Sequence, residues 1–147
     1  MWLSPITLQG THVTLEPLST EHIPALQEAV QDGELWKLWY TSVPDPAGVE
    51  AYVERALGGQ QQGHMLPFAV RRNQDQRIVG CTRFYQIEAT HRHCAIGYTW
   101  YAASCQRTAV NTETKFLLLQ YAFEHGQAIA VEFHTHFFNH RSRQAIQ

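Results

Sequence analysis

Five stretches of the chain have the residue pattern of β-strands. In the first, Val13 and Leu15 face one side while Thr14 and Glu16 face the other, and this alternation predicts a half-buried strand. The three middle strands are separated only by short polar turns, which predicts an antiparallel meander. Gly80 inside one of them marks a bulge. The predicted strands cover residues 12–18, 66–72, 77–87, 93–101 and 128–137.

A helix is predicted to begin at Asp45-Pro46, because aspartate suits the N-cap and proline the first helical position. Gly58-Gly59 is predicted to end it. Its apolar residues fall on one stripe, which consists of Val49, Tyr52, Val53, Ala56 and Leu57.

A second strongly apolar helix follows a polar loop, Ala102 to Asn111, and a short helix is predicted to begin at Asn139. The main buried face of the apolar helix is predicted to consist of Phe116, Leu119, Ala122 and Phe123.

The composition of the chain argues against several classes of protein. The 147 residues suit one domain, and 44% hydrophobic with 16% charged residues is typical of a globular, soluble protein. A net charge of −2 argues against a broad nucleic-acid surface. No apolar run approaches the ~20 residues that span a bilayer, and the first residues lack the features of a signal peptide. Three cysteines without a framework spacing indicate reduced thiols and a cytoplasmic location.

The loop between the 93–101 strand and the apolar helix is the main candidate for chemistry. A helix N-terminus carries unpaired N–H groups and roughly half a positive charge, so it binds phosphate without a basic side chain. The loop sequence Gln106-Arg107-Thr108-Ala109-Val110-Asn111 resembles the Q/R-x-x-G-x-G/A pyrophosphate loop of the GNAT superfamily of N-acetyltransferases, with Ala109 and Asn111 at the family's small positions. The run from Gly97 to Lys115 is similar to the RimJ/RimL-type branch.

The resemblance implies an α+β, three-layer fold: a mixed, mostly antiparallel central sheet with helices on both faces. Residues 1–147 would form a single GNAT-like domain that is incomplete at the C-terminus and lacks the last two strands. The edge of the 128–137 strand would then be exposed, which favours a homodimer through that edge.

The resemblance also implies transfer of an acetyl group from acetyl-CoA to a primary amine, either a protein N-terminus or a small molecule, by direct attack. The cofactor-binding residues would be Trp100, Tyr101, Gln106, Arg107, Thr108, Ala109, Val110, Asn111, Thr112 and Asn139. An N-x-x-S pair, Asn139 and Ser142, would lie near the thiol.

The general base stays open at this point. The family often has an acidic residue where this chain has Ala95, and His93 lies two residues earlier on the same strand face. Histidine as a residue type is suited to accept a proton, because its unperturbed pKa is about 6.5. Other candidates are Glu88, His91, His134 and His136. The catalytic set is therefore predicted as Asn139, Ser142 and His93.

Several alternatives compete with this hypothesis. The departures at Ala109 and Ala95 and the early C-terminus favour a non-catalytic or degenerate domain that binds coenzyme A or a partner only. The pairs His91/His93 and His134/His136 could form a metal site if their strands are adjacent, but we predict no metal. Cys105 has no base paired to it in sequence, so it is interpreted as an incidental thiol. Three aromatic residues either line an acceptor pocket or pack in the core: Trp36, Trp39 and Tyr40.

Overall fold

A six-stranded sheet forms the centre of the computed structural model, which describes residues 2–34, 37, 43–106 and 108–133. The strands lie side by side in chain order. Neighbours are antiparallel except the last two, β5 and β6, which run parallel. The predicted meander is confirmed, whereas the two-residue β1 was not predicted. The strands are β1 (Leu8–Gln9), β2 (Val13–Pro17), β3 (Leu66–Arg72), β4 (Arg77–Glu88), β5 (His93–Tyr101) and β6 (Ala130–Phe133).

Helices cover both faces of this sheet, so the predicted α+β fold in three layers is confirmed. On one face, α1 (Ile23–Gln31) and α2 (Val49–Gln61) pack on Ala69 and Cys81. On the other face, α3 (Ala109–Gln120) packs on Phe68 and Phe84. Side chains of successive strand residues point to opposite faces, which explains why the neighbours Phe68 and Ala69 belong to different cores.

The predicted start of α2 is confirmed, and its predicted end is wrong. Asp45 accepts a hydrogen bond from the Gly48 N–H at 2.7 Å, and a 3₁₀ turn, Pro46–Gly48, leads into α2. The helix then continues through Gly58-Gly59 to Gln61. A Cβ on Gly59 would lie 2.7 Å from the sulfur of Met65, so this glycine allows close packing within a helix and does not end it.

The predicted buried face of α3 is confirmed for Ala122, which is fully buried, and Leu119 is half-buried against the same core, but the prediction is wrong for the two phenylalanines. Phe116 and Phe123 are 57% and 47% exposed. Four consecutive apolar residues, Phe116 to Leu119, place apolar side chains around most of the helix, so periodicity alone does not select the buried side. The helix side chains that are buried belong to Val110, Thr114, Leu117 and Leu118, followed by Tyr121 and Ala122 in the next turn.

The first residues of the chain are fastened to the end of α3. A π-helical turn, Tyr121–His125, follows the helix. The Trp2 indole donates to the Gly126 carbonyl at 2.6 Å, and the Tyr121 hydroxyl bonds both the N–H and the carbonyl of Ser4 at 3.0 Å. These contacts close the edge of the core on the α3 face.

The central strands are irregular at two places. Val79 has no counterpart on β3, which confirms the bulge predicted next to Gly80. On β5, Tyr98 and Thr99 together face the single residue Thr82, and Tyr98 has a left-handed backbone with φ of 50°. Such bulges bend a strand and re-aim its side chains.

The strand predicted for residues 128–137 is observed over Ala130–Phe133, and its last predicted residues lie outside the described ranges. The helix predicted to begin at Asn139 and the predicted lack of two final strands also concern residues 134–147, which lie outside those ranges. Within the described ranges, no helix has the length and apolar character needed to cross a bilayer.

Candidate functional site

The candidate site begins where β5 ends. Gly80 lies opposite Tyr101, and a Cβ on Gly80 would approach the Trp100 carbonyl to 2.3 Å, so only glycine allows the two strands to meet so closely. The Ala102 N–H then donates to the Val79 carbonyl at 2.7 Å, which extends the pairing past the end of the strand. The direction in which the chain leaves the sheet is therefore fixed.

Hydrogen bonds from outside the loop hold the next residues. The backbone N–H groups of Ala103 and Ser104 donate to the carbonyl and the carboxylate of Asp32, at 3.1 and 3.2 Å. The Gln106 side chain donates to the Tyr101 carbonyl at 3.3 Å. The loop is thus anchored both to β5 and to the end of α1.

Thr108 is the N-cap of α3. Its hydroxyl accepts a hydrogen bond from the Val110 N–H at 3.3 Å and donates to the Cys105 carbonyl at 2.5 Å. The helix therefore begins at Ala109, two residues before the predicted end of the loop at Asn111. The first N–H groups of a helix have no intrahelical acceptor, and here they belong to Thr108, Ala109, Val110 and Asn111. In a regular helix the Thr112 N–H is the first to reach a carbonyl, that of Thr108.

A cavity of about 300 Å³ opens at this helix N-terminus. Arg72 lies on its wall, and its guanidinium donates to both carboxylate oxygens of Asp75, at 3.0 and 2.6 Å, and to the Cys105 sulfur at 3.1 Å. The bond from Arg72 lowers the pKa of Asp75 to about 2, and the same bond raises the pKa of Arg72. The cavity is lined by Thr11, His12, Arg72, Gln74, Ser104, Thr108, Ala109 and Val110.

The structure brings together most of the predicted cofactor residues. Trp100 and Tyr101 lie next to the loop with buried side chains, which leaves their backbones as the groups available to a ligand. Ala109 and Val110 line the cavity beside Thr108, and Asn111 and Thr112 follow in the first turn of α3. Arg107, Asn139 and Ser142 lie outside the described residues, as do Trp36, Trp39, Tyr40, His134 and His136.

The predicted base, His93, lies at the opposite end of β5. Eight residues separate it from Tyr101, about 27 Å at roughly 3.4 Å per residue. Its Nε2 atom is 3.2 Å from the Glu132 carboxylate on β6. Glu88 and His91 are exposed at the turn before β5, and the His91 Nδ1 atom lies 4.0 Å from a carboxylate oxygen of Glu88. The structure therefore separates these candidates from the loop and pairs His93 with an acid that the sequence analysis missed.

Glu132 lies on the face of the sheet that carries α1 and α2. It is directly opposite Ala95, which in turn is opposite Tyr85. Burial raises the pKa of Tyr85, and the neighbouring Tyr98 and Glu132 raise it further. His93, Glu132 and Tyr85 thus surround the small side chain of Ala95.

A metal site is not supported by these positions. Among the described residues, no group of three His, Cys, Asp or Glu side chains is arranged to hold an ion. Cys105 is buried and bonded to Arg72.

The fold is that of an acyltransferase domain, and the family model described as "Acetyltransferase (GNAT) domain" matches residues 12–147. The chain therefore belongs to the GNAT acetyltransferase family, and membership makes it an N-acetyltransferase by class.

Solved structures agree with this assignment. A candidate acetyltransferase from T. thermophilus is 28% identical, with a TM-score of 0.83 over 99% of this chain and 75% of that one. A GCN5-related N-acetyltransferase from Brucella melitensis is 25% identical, with a TM-score of 0.84 over 99% of this chain and 66% of that one. RimL, a ribosomal L7/L12 α-N-protein acetyltransferase in complex with coenzyme A, is 17% identical, with a TM-score of 0.80 over 95% and 80% of the two chains, and shows a shared fold only. Among proteins with curated functions, none matches the chain significantly.

The sequence analysis missed three charged residues, because their roles depend on contacts between distant strands. Glu132 follows the polar phase of β6, where residues are usually solvated, and Arg72 is the last residue of β3, where charged side chains are also common. Arg83 lies in the middle of β4, where alternation alone does not show that it is buried. A sequence signal for it did exist: a charged residue within the run Cys81 to Tyr85, which is otherwise largely apolar.

Proposed function

We propose that this chain transfers the acetyl group of acetyl-CoA to a primary amine. The pyrophosphate would lie at the N-terminus of α3, where the N–H groups of Thr108, Ala109 and Asn111 lack an intrahelical acceptor, while that of Val110 is capped by the Thr108 hydroxyl. Thr112 would contribute its hydroxyl, and Gln106 and Arg107 would flank the phosphates. The observation that carries the proposal is the cavity at this helix start, with the cationic Arg72 on its wall.

The pantetheine arm would follow the backbone of Trp100 and Tyr101 along β5. Asn139 and Ser142 are proposed to contact the cofactor near its thiol, as the family resemblance implies. The carriage of coenzyme A by RimL supports the same ligand here.

The reaction would be direct attack of the neutral amine on the thioester carbonyl carbon. The carbon–sulfur bond breaks, coenzyme A leaves as the thiolate, and the amine proton passes to a base. His93 remains our proposed base, now with Glu132 as the carboxylate that orients its ring. RimL acts on a protein α-amine, which supports a protein N-terminus as one acceptor; a small amine is the other.

Calorimetric titration with acetyl-CoA tests the cofactor site. Ala109→Glu places a carboxylate beside the phosphates, and two like charges about 4 Å apart near a protein surface repel strongly enough to weaken binding at least about a hundredfold. The same change improves the helix itself, because an acidic residue in the first turn complements the helix dipole. A loss of binding with an unchanged or higher melting temperature therefore points to the site.

Ala47→Glu is the matched control, because Ala47 is an exposed alanine in the 3₁₀ turn that precedes α2. It should bind acetyl-CoA like the wild type. Equal affinities for all three proteins would show that the cofactor does not bind at α3.

We also propose that the chain forms a homodimer in the cytoplasm. In the described part of the sheet β6 is the outermost strand, and an outer strand offers its free N–H and carbonyl groups to another chain. Sedimentation at micromolar concentration should show a dimer, and a single monomeric species would refute this arrangement.

A further inference from the structure

Arg83 is a buried cation in the middle of β4. Only 4% of its surface is exposed, on the face of the sheet that carries α1 and α2. Its guanidinium lies over the rings of Tyr98 and Tyr52, at 4.4 and 5.1 Å from their centroids, and donates to the sulfur of Met65 at 3.3 Å. An arginine is always protonated in proteins, so a full positive charge lies among aromatic rings and a thioether.

No carboxylate balances this charge. All 13 Asp and Glu residues of the chain lie within the described ranges, and none of them forms an ion pair with Arg83. Its Nε–H group is buried and has no acceptor among the described residues. The Tyr52 hydroxyl is a neutral hydrogen-bond partner of the guanidinium, and the aromatic rings attract the cation without accepting its in-plane hydrogen bonds. Burial of a charge without a counter-ion is costly, so an arginine held this way is suited to an anion supplied from outside.

The position of Arg83 connects it with the proposed reaction. It lies opposite Gly97, directly before the bulge at Tyr98 and Thr99, and about 10 Å along β5 from Trp100 at roughly 3.4 Å per residue. The small residues Ala95 and Gly97 lie beside it on β5, and the Tyr85 ring packs on Gly97, where an added Cβ would lie 2.8 Å from the ring. Further along β5 lie His93 and Glu132, on the same face of the sheet.

The Tyr98 ring is the exposed part of this cluster. It is 46% exposed and lies between solvent and the guanidinium, with its edge against the Tyr85 ring at a centroid distance of 5.0 Å. An acceptor that approaches from solvent would meet Tyr98 first and Arg83 behind it.

We infer that Arg83 binds a carboxylate of the amine acceptor, so that the substrates are amines that carry an acidic group. This inference rests on the proposed function and names its acceptor class. The carboxylate can belong to a free amino acid or to an acidic side chain in a peptide N-terminus, and both offer the planar pair of oxygens that matches the guanidinium fork. Acceptor and acetyl donor would then meet on one side of β5.

Two pairs of acceptors test the inference, and the two members of each pair differ only in a carboxylate. The first pair is phenylalanine and phenylalaninamide. The second pair is the tripeptides Ala-Glu-Ala and Ala-Gln-Ala, both with a C-terminal amide. Coenzyme A thiol release from acetyl-CoA is measured for each. A charge-assisted pair of this kind is expected to favour the acidic member of one pair by about tenfold to a hundredfold in kcat/KM. The pair that shows the preference identifies the source of the carboxylate.

The quantity compared between the wild type and each variant is the ratio of kcat/KM for the acidic member of a pair to kcat/KM for the neutral member. A ratio is needed because an amino acid and its amide also differ in the basicity of the amine. In Arg83→Gln this ratio should fall to the value that the difference in basicity alone produces. Arg77→Gln is the matched control on the same strand, since Arg77 is exposed and pairs with Glu28, and it should keep the wild-type ratio. An equal ratio in the wild type and Arg83→Gln would overturn the inference, whereas a merely structural role would lower rates for both members alike.

A binding measurement separates this inference from the proposed function. N-acetylphenylalanine and N-acetylphenylalaninamide are titrated by calorimetry in the presence of coenzyme A. Tighter binding of the acid to the wild type, lost in Arg83→Gln, supports the carboxylate site even if no amine is acetylated, an outcome that would count against the proposed function alone. Equal binding of acid and amide to the wild type would refute the carboxylate site.

Discussion

Arg83 and Phe84 are neighbours on β4, yet they face opposite sides of the sheet and opposite environments. Phe84 is fully buried against Phe68 and Tyr121, with ring centroids 6.1 and 6.2 Å away. Arg83 is buried almost as deeply, but its charge lacks a carboxylate partner among the described residues. The α3 face is thus packed for stability, whereas the α1/α2 face buries a charge at Arg83, the residue that we propose to bind the acceptor.

Phe84→Ala should lower the free energy of unfolding more than any other change considered below. Removal of a fully buried phenylalanine from a packed core costs about 3–5 kcal/mol. Urea unfolding of the variant measures the loss. Phe116→Ala is the control on the same face, and it should stay within about 0.5 kcal/mol of the wild type because Phe116 is mostly exposed. Similar losses for both would mean that the α3 face is not packed as described.

Arg83→Met should change stability in the opposite direction. Replacement of an unpaired buried charge by an apolar side chain of similar length should raise the free energy of unfolding by about 1 kcal/mol. For a chain of this size, the melting temperature would rise by about 2–4 °C. Arg77→Met, at an exposed position on the same strand, should give no such gain. A clear loss of stability in Arg83→Met would show that Arg83 holds the fold together.

Asp75→Asn should have the smallest effect, and that effect should depend on pH. Unlike Arg83, Arg72 forms an ion pair with a carboxylate, that of Asp75. The hydrogen bond from Arg72 lowers the pKa of Asp75 from its ordinary value of 3.8 to about 2. A carboxyl group whose pKa is lower in the folded chain stabilises the fold above its unfolded pKa, and this contribution is lost as the pH falls through the folded pKa.

Melting temperatures of the wild type and Asp75→Asn should therefore differ by a constant amount above about pH 4 and converge toward pH 2. The measurement needs only thermal unfolding across this range. A difference that grows as the pH falls would contradict the pairing of Arg72 with Asp75.

Local chemistry explains which parts of this fold could be predicted from the sequence. The start of α2 follows from Asp45 and Pro46, which set the cap by themselves. The loop before α3 could be located because a strand, a polar loop and a helix follow directly in the chain. The family resemblance then supplied the three-layer arrangement, which short-range patterns do not contain.

The errors arose where distant residues decide the structure. Gly59 stays within α2 because Met65 requires close approach, and nothing in the glycine pair itself indicates this. The buried side of α3 is selected by Phe68 and Phe84 on the sheet, since the helix carries apolar residues nearly all round. For the site, the loop amides could be predicted, whereas Arg72, Arg83 and Glu132 are brought into place only by strand register.

The bond between the Trp2 indole and the Gly126 carbonyl gives the α3 face its own optical reporter. Trp100 is buried in the opposite core, beneath α1 and α2. In a protein whose Trp36 and Trp39 are replaced by phenylalanine, the two remaining indoles would emit from the two sides of the sheet. The change in fluorescence of Trp2 and of Trp100 with rising denaturant concentration would then show which face of the sheet unfolds first, without any added dye.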